Sequence, residues 1–210
     1  MRLKYKHNTL RYLTILIAAF IVTGCASTGG MQRSEEVRTT MDSIDKDIRE
    51  ATQQLNATET SLENLMRPNQ TDIKKTFSAY KENVSKMESI EKDFAMHSDQ
   101  LKSRGNDYFQ EWEKDGSEYN NPQIQKLSEQ RRAELGDIYG RIAENSIGVS
   151  EAFKTYVSDV KEIQSFLSND LTAKGIDAIT PTSRTVVSDG DSLKHALQDM
   201  QSAIQRARAE

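Results

Sequence analysis

The chain has 210 residues, 28 of them basic and 32 acidic, for a net charge of −4 at neutral pH. An acidic chain is a poor ligand for nucleic acid or for anionic headgroups, so no nucleic-acid partner is expected. A single cysteine excludes an internal disulfide, and three prolines with 29% charged residues favour long helices with a narrow apolar seam over a thick core.

Leu13 to Cys25 is an apolar run preceded by Arg2, Lys4, Lys6 and Arg11, with no acid among them. A basic head, a short apolar core and small residues before a cut make residues 1–24 a secretory signal. The run is shorter than the roughly 20 apolar residues a membrane-spanning helix needs. Val22-Thr23-Gly24-Cys25 fits the bacterial lipobox: branched aliphatic, small residue, glycine, cysteine. That resemblance implies a thioether lipid on Cys25, cleavage before it and acylation of the new amino terminus. Three acyl chains exceed the roughly two signals that hold a protein stably on a membrane. Ala26 stands where an inner-membrane retention signal would usually place aspartate, so the sorting rule implies the periplasmic face of the outer membrane. Cleavage leaves 24 basic residues against 32 acidic, a net charge of −8. With Cys25 lipidated, no thiol is left for redox or metal chemistry.

Residues 25–32, small and polar with Gly29-Gly30, read as a flexible tether. Residues 33–210 read as one elongated domain. From Ser34, a plausible N-cap, apolar residues step by four and three: Val37, Met41, Ile44, Ile48, Ala51, Leu55, Thr58, Leu62, Leu65. This is a helix with a coiled-coil type of seam, stopped by Pro68. Thr71 then caps a second helix, in which Ile73, Tyr80, Met87, Phe94, Leu101 and Tyr108 recur every seven residues and Phe77, Val84 and Trp112 form a companion row. It is expected to reach Lys114, with Gly105 a weak point costing about 1 kcal/mol relative to alanine.

Asp115 to Pro122 holds the Gly, Asn, Asp and Pro of a loop. Asn121 suits an N-cap with Pro122 at the first helical position. A third helix runs to Leu171 on the stripe Leu135, Ile142, Val149, Tyr156 and Ile163, flanked by Ile138, Phe153, Val160 and Leu167. Gly175 reads as the residue after that helix ends, the segment 176–179 as a further turn, and Pro181 as the opening of a last helix with Val186, Leu193, Leu197, Met200, Ile204 and Ala207 inward. No strand alternation occurs. The expected fold is all-α, an elongated antiparallel bundle or coiled coil of three to four long helices.

The search for chemistry finds little. His97 and His195 lie on helices without a second histidine or a His-Glu partner at metal spacing, so no metal site is expected. The many carboxylates read as a solvated helix face. There is no Gly-x-Ser-x-Gly elbow, no glycine-rich phosphate loop and no calcium loop. The expectation is a protein that is not an enzyme and carries no cofactor.

One cluster stands out. Tyr108, Phe109, Trp112 and Tyr119 surround the only tryptophan beside the longest loop. They read either as closure of the hydrophobic seam or as an exposed aromatic tip that binds a partner, since Tyr and Trp are enriched at interfaces.

The same region carries a family resemblance. Phe109-Gln110-Glu111-Trp112-Glu113, followed by Tyr119, Asn121, Ile124 and Ser128, is similar to the signature of a bacterial family of unknown function whose members are secreted or lipid-anchored helical proteins. Leu171-Thr172-Ala173-Lys174-Gly175-Ile176 resembles that family's break before its last helix. Gly116 departs from the longer helix the resemblance implies there. The resemblance supports fold and compartment and implies no activity.

The functional expectation is therefore a lipid-anchored periplasmic scaffold or adaptor that binds an envelope protein or a cell-wall partner. Two alternatives stand beside it: a cell-wall hydrolase or its lipoprotein activator, and a self-assembling structural coiled coil, for which a homo-oligomer is the expected state. Helix lengths also predict geometry. At about 1.5 Å per residue, the second helix overshoots the start of the first by roughly 15–20 Å and the fourth stops short, leaving the 108–119 end as a two-helix hairpin near the lipid tether.

Overall fold

The computed structural model describes residues 29–68 and 72–209. The leader, the lipobox and Cys25 lie outside the described residues, as does Thr71. Four helices follow in order: α1 (Gly29–Met66), α2 (Ile73–Ser117), α3 (Pro122–Asn169) and α4 (Ala173–Arg208). No strand occurs among the described residues. The bundle is antiparallel, with α1 beside α2, α2 beside α3, α3 beside α4, and α4 closing onto α1.

The α1 seam is buried at every expected position from Val37 to Leu65, including Thr58. Thr58 is tolerated there because its hydroxyl donates to the Gln54 carbonyl at 2.8 Å, so no polar group is stranded. The α2 rows behave likewise, with Phe77, Tyr80, Val84, Met87, Phe94 and Leu101 buried. The Tyr80 hydroxyl donates across the core to the Val160 carbonyl of α3 at 2.8 Å. Phe94 meets Phe153 with ring centroids 5.6 Å apart. These buried side chains form one continuous apolar core that all four helices share.

Several helix ends differ from expectation. The first helix starts at Gly29, not at Ser34, so residues 29–32 belong to α1 and the tether reading fails for them. The cap of α2 is Asp72, whose carboxylate accepts from the Lys75 amide at 2.9 Å. This helix continues through Gly116 to Ser117, past the expected end at Lys114, so the loop shrinks to 118–121. Asn121 and Pro122 do open α3 as expected, the Asn121 side chain accepting from the Gln123 amide at 2.9 Å.

The turn between α3 and α4 also differs. Gly175 does not end α3; it lies in the first turn of α4, where its amide donates to the Thr172 hydroxyl that caps the helix. A Cβ there would fall 2.2 Å from the Asp170 carbonyl oxygen, so this tight helical hairpin requires glycine. Pro181, expected to open the last helix, sits inside α4, and the segment 176–179 is part of the same helix. Proline there gives up the hydrogen bond to the carbonyl four residues earlier, which the helix absorbs.

The end holding residues 108–119 is built from three helices rather than two. Because α1 begins early, Arg33 reaches Asp115 of α2 at 3.6 Å, which removes most of the expected overshoot. The last helix does stop short: Arg208 closes α4 on Asp42 at 2.5 Å and on Asp45 at 3.3 Å. Past that level, among the described residues, only α1, α2 and α3 continue.

Candidate functional site

The three-helix end brings together three of the four aromatic residues singled out above. Tyr108 lies 5.2 Å from Phe109 and 5.5 Å from Trp112, centroid to centroid. Phe109 makes an edge contact at 5.3 Å with Tyr139 of α3, a partner the sequence reading missed. The Trp112 indole N–H donates to the Ser128 hydroxyl of α3 at 2.9 Å. Gly116, one turn on, lets Ser128 approach: a Cβ there would lie 3.2 Å from its Oγ. Arg132 and Glu113 add an ion pair at 3.5 Å across the same seam.

Tyr108, Phe109 and Trp112 are therefore half-buried, with Tyr108 packed against the main core. Burial pushes the phenols of Tyr108 and Tyr139 above their ordinary range, and for Tyr108 the nearby Arg131 and Arg33 pull part of the way back. These rings join α2 to α3. Only Tyr119, in the loop, is exposed at 42%. Beside it in sequence, on the first turns of α3, stand Ile124 at 49% and Leu127 at 64% exposed. The outward apolar side chains at this end thus include Tyr119, Ile124 and Leu127, with Met31 of α1 at 75%, and the tryptophan is part of their support.

Below the rings a groove of about 590 Å³ runs along the seam between α2 and α3. Its walls include Gly105, Gly136, Gly140 and Ala143, with Phe109 and Tyr139 at one end and Asp99, Lys102, Glu151 and Lys154 on the borders. The groove is thus lined by small and apolar residues at its floor and by charged residues at its edge.

The histidines separate. His195 is exposed, whereas His97 is half-buried and its Nδ1 lies 2.5 Å from Asp47 of α1. Asp47 is 3% exposed, and burial raises its carboxyl above the ordinary range even though His97 pulls it down. This pair clips α1 to α2. Among the described residues no group of three or more His, Cys, Asp or Glu side chains is arranged to hold a metal. Nor is any described helix long and apolar enough to cross a membrane.

No curated protein and no solved structure matches this chain. A family model does, over residues 25–209, and its description is a protein of unknown function, DUF2959. With residues 25–209 matched, the chain belongs to the DUF2959 family of proteins of unknown function.

Proposed function

We propose that this protein is a lipid-anchored scaffold or adaptor of the bacterial envelope, held at the periplasmic face of the outer membrane by Cys25 and binding an envelope protein or a cell-wall partner at its three-helix end. The observation that carries the reading is the early start of α1. Gly29 is four residues from Cys25, which extended chain spans in about 14 Å. Arg33 is already level with Asp115 beside the 118–121 loop. A lipid on Cys25 would therefore sit next to Tyr119, Ile124 and Leu127, and the bundle would present that apolar surface close to the membrane. Tyrosine suits such a position because one part of its side chain is apolar and the other forms hydrogen bonds. Start of the family match at residue 25 agrees with a mature chain that begins at the cysteine.

The test is Cys25→Ser in the full chain, followed by metabolic labelling with a fatty acid and membrane fractionation. The expected outcome is loss of label together with release from the outer-membrane fraction. A serine variant that fractionates and labels like the parent would end this reading.

A further inference from the structure

We propose that the groove between α2 and α3 is the face on which a second copy of this chain docks, antiparallel, about a two-fold axis. The starting point is a set of glycines that the single chain does not need. Gly105, Gly136 and Gly140 border the groove, and a methyl group on any of them would meet nothing within 4 Å. Glycine is the weakest helix former other than proline, so these positions weaken α2 and α3 without return inside the chain. The hollow they leave has a matching projection. Ile147, 60% exposed, stands on the same wall of α3, two turns from Gly140. Small residues let a second helix come close, and an exposed branched side chain can then fill the hollow.

Two charges select the occupant. Asp99 and Lys102 both border the groove on α2, and neither makes an ion pair among the described residues. An axis crossing α2 midway between them sets Asp99 against the partner subunit's Lys102, and the reverse, so the attraction is made twice. Four contacts fix the level of α3 at that point: Tyr80 to Val160, Phe94 to Phe153, Phe109 to Tyr139 and Trp112 to Ser128. Together they set the midpoint of Asp99 and Lys102 opposite the stretch between Gly140 and Ile147. The same axis therefore sets Ile147 against the α3 wall of the partner subunit's groove, again twice. One operation pairs charge on one wall and fills the hollow on the other, a self-complementarity that an unrelated partner has no reason to match.

The available area is sufficient. Shallower depressions continue the groove past Phe109 to Glu113 and past Lys154 to Ser165. Two helices side by side along the groove itself, whose α3 wall runs from Gly136 to Lys154, give a face about 30 Å long and about 20 Å wide, or about 600 Å² per copy. Doubled, this reaches the roughly 1,200 Å² at which specific interfaces begin. The inference does not depend on the lipid anchor.

Sedimentation equilibrium of the full chain in density-matched detergent reads the association directly. The expected result is a dimer whose dissociation constant rises about tenfold in Asp99→Lys and in Lys102→Asp, because each swap turns two attractions into two repulsions. The variant carrying both swaps restores the attractions and returns to the parent's affinity. Gly140→Leu blocks the hollow and should also favour the monomer, while its thermal midpoint, compared at concentrations where the parent is monomeric too, is no lower than the parent's. A monomeric parent, single swaps that associate as tightly as the parent, or a double swap that does not recover would each overturn the proposal. A monomer that takes up detergent in the groove would name a lipid tail as the occupant instead.

Discussion

In the four-helix part of the bundle, Gly175 and Gly190 each sit where a Cβ would strike another atom at 2.2 Å, the Asp170 carbonyl oxygen in one case and Glu59 Oε1 in the other. Toward the three-helix end, Gly105, Gly136 and Gly140 have open space where their side chains would be. The first pair is explained by the fold of the single chain. The second group weakens its helices, and a side chain at any of its positions would meet nothing within 4 Å. The aromatic residues divide the same way: Tyr80, Phe94, Phe153 and Tyr156 are fully buried where α4 covers the core, and Tyr108, Phe109 and Trp112 are half-buried where it does not. Where α4 ends, the same seam that makes a core elsewhere becomes a surface.

The largest expected effect tests the aromatic half of this contrast. Phe153→Ala should lose about 3–5 kcal/mol of stability in urea unfolding, as a buried ring truncated to a cavity does. Trp112→Ala removes a half-exposed ring and one hydrogen bond, so its loss should be smaller, about 1–3 kcal/mol. Equal losses would erase the distinction between the two regions.

The glycines come next. Gly190→Ala and Gly175→Ala should each destabilise by about 1–3 kcal/mol, since backbone or a packed side chain must move. Gly136→Ala and Gly140→Ala should stabilise the folded chain by about 0.5–1 kcal/mol each, because helix propensity improves and nothing is struck. Thermal midpoints of the four variants, taken at protein concentrations where the parent is monomeric, check the opposite signs, and a fall at position 136 or 140 would mean that the single chain does need those glycines.

The smallest effect is a pH dependence at Asp159 in the covered region. Burial first, then a hydrogen bond with Asp189 and the nearby charges, raises its carboxyl above the ordinary range. A raised folded value means its contribution to stability is full below the unfolded carboxylate range and is lost as pH rises through the folded value. Asp159→Asn should therefore raise the midpoint at neutral pH, and the gain should vanish in acid. A gain that persists at low pH would assign it to packing.

How much of this could be read in advance varies by feature. The α1 seam was legible because strict steps of four and three from Val37 to Leu65 admit only one inward face. Helix ends were less legible, because caps compete. Ser34 and Pro181 look like starts, yet the helices run through both: Arg33, ahead of Ser34, already pairs with Asp115 of α2, and Thr172 already caps α4 ahead of the proline. At the site, Tyr108 and Trp112 could be placed by their heptad positions, since both fall on the rows of α2. Their burial could not, because it depends on Ser128 and Gly116 meeting across the seam. Helix lengths did indicate that α4 stops short of this end, but the seam positions do not say that Ile124 and Leu127, off every stripe named for α3, are among the apolar residues left exposed there. The groove was invisible, as it exists only once α2 and α3 are set in register.

The central claim is that the uncovered end, beside the lipid, is where this protein meets its partner. A photo-crosslinking amino acid placed at Leu127 of the full chain in living cells tests it most directly, with exposed Lys174 at the opposite end as the control. The account predicts a discrete adduct from position 127 in the membrane fraction, lost in Cys25→Ser, and none of that size from position 174. Equal crosslinking from both positions, or an adduct from 174 alone, would contradict it.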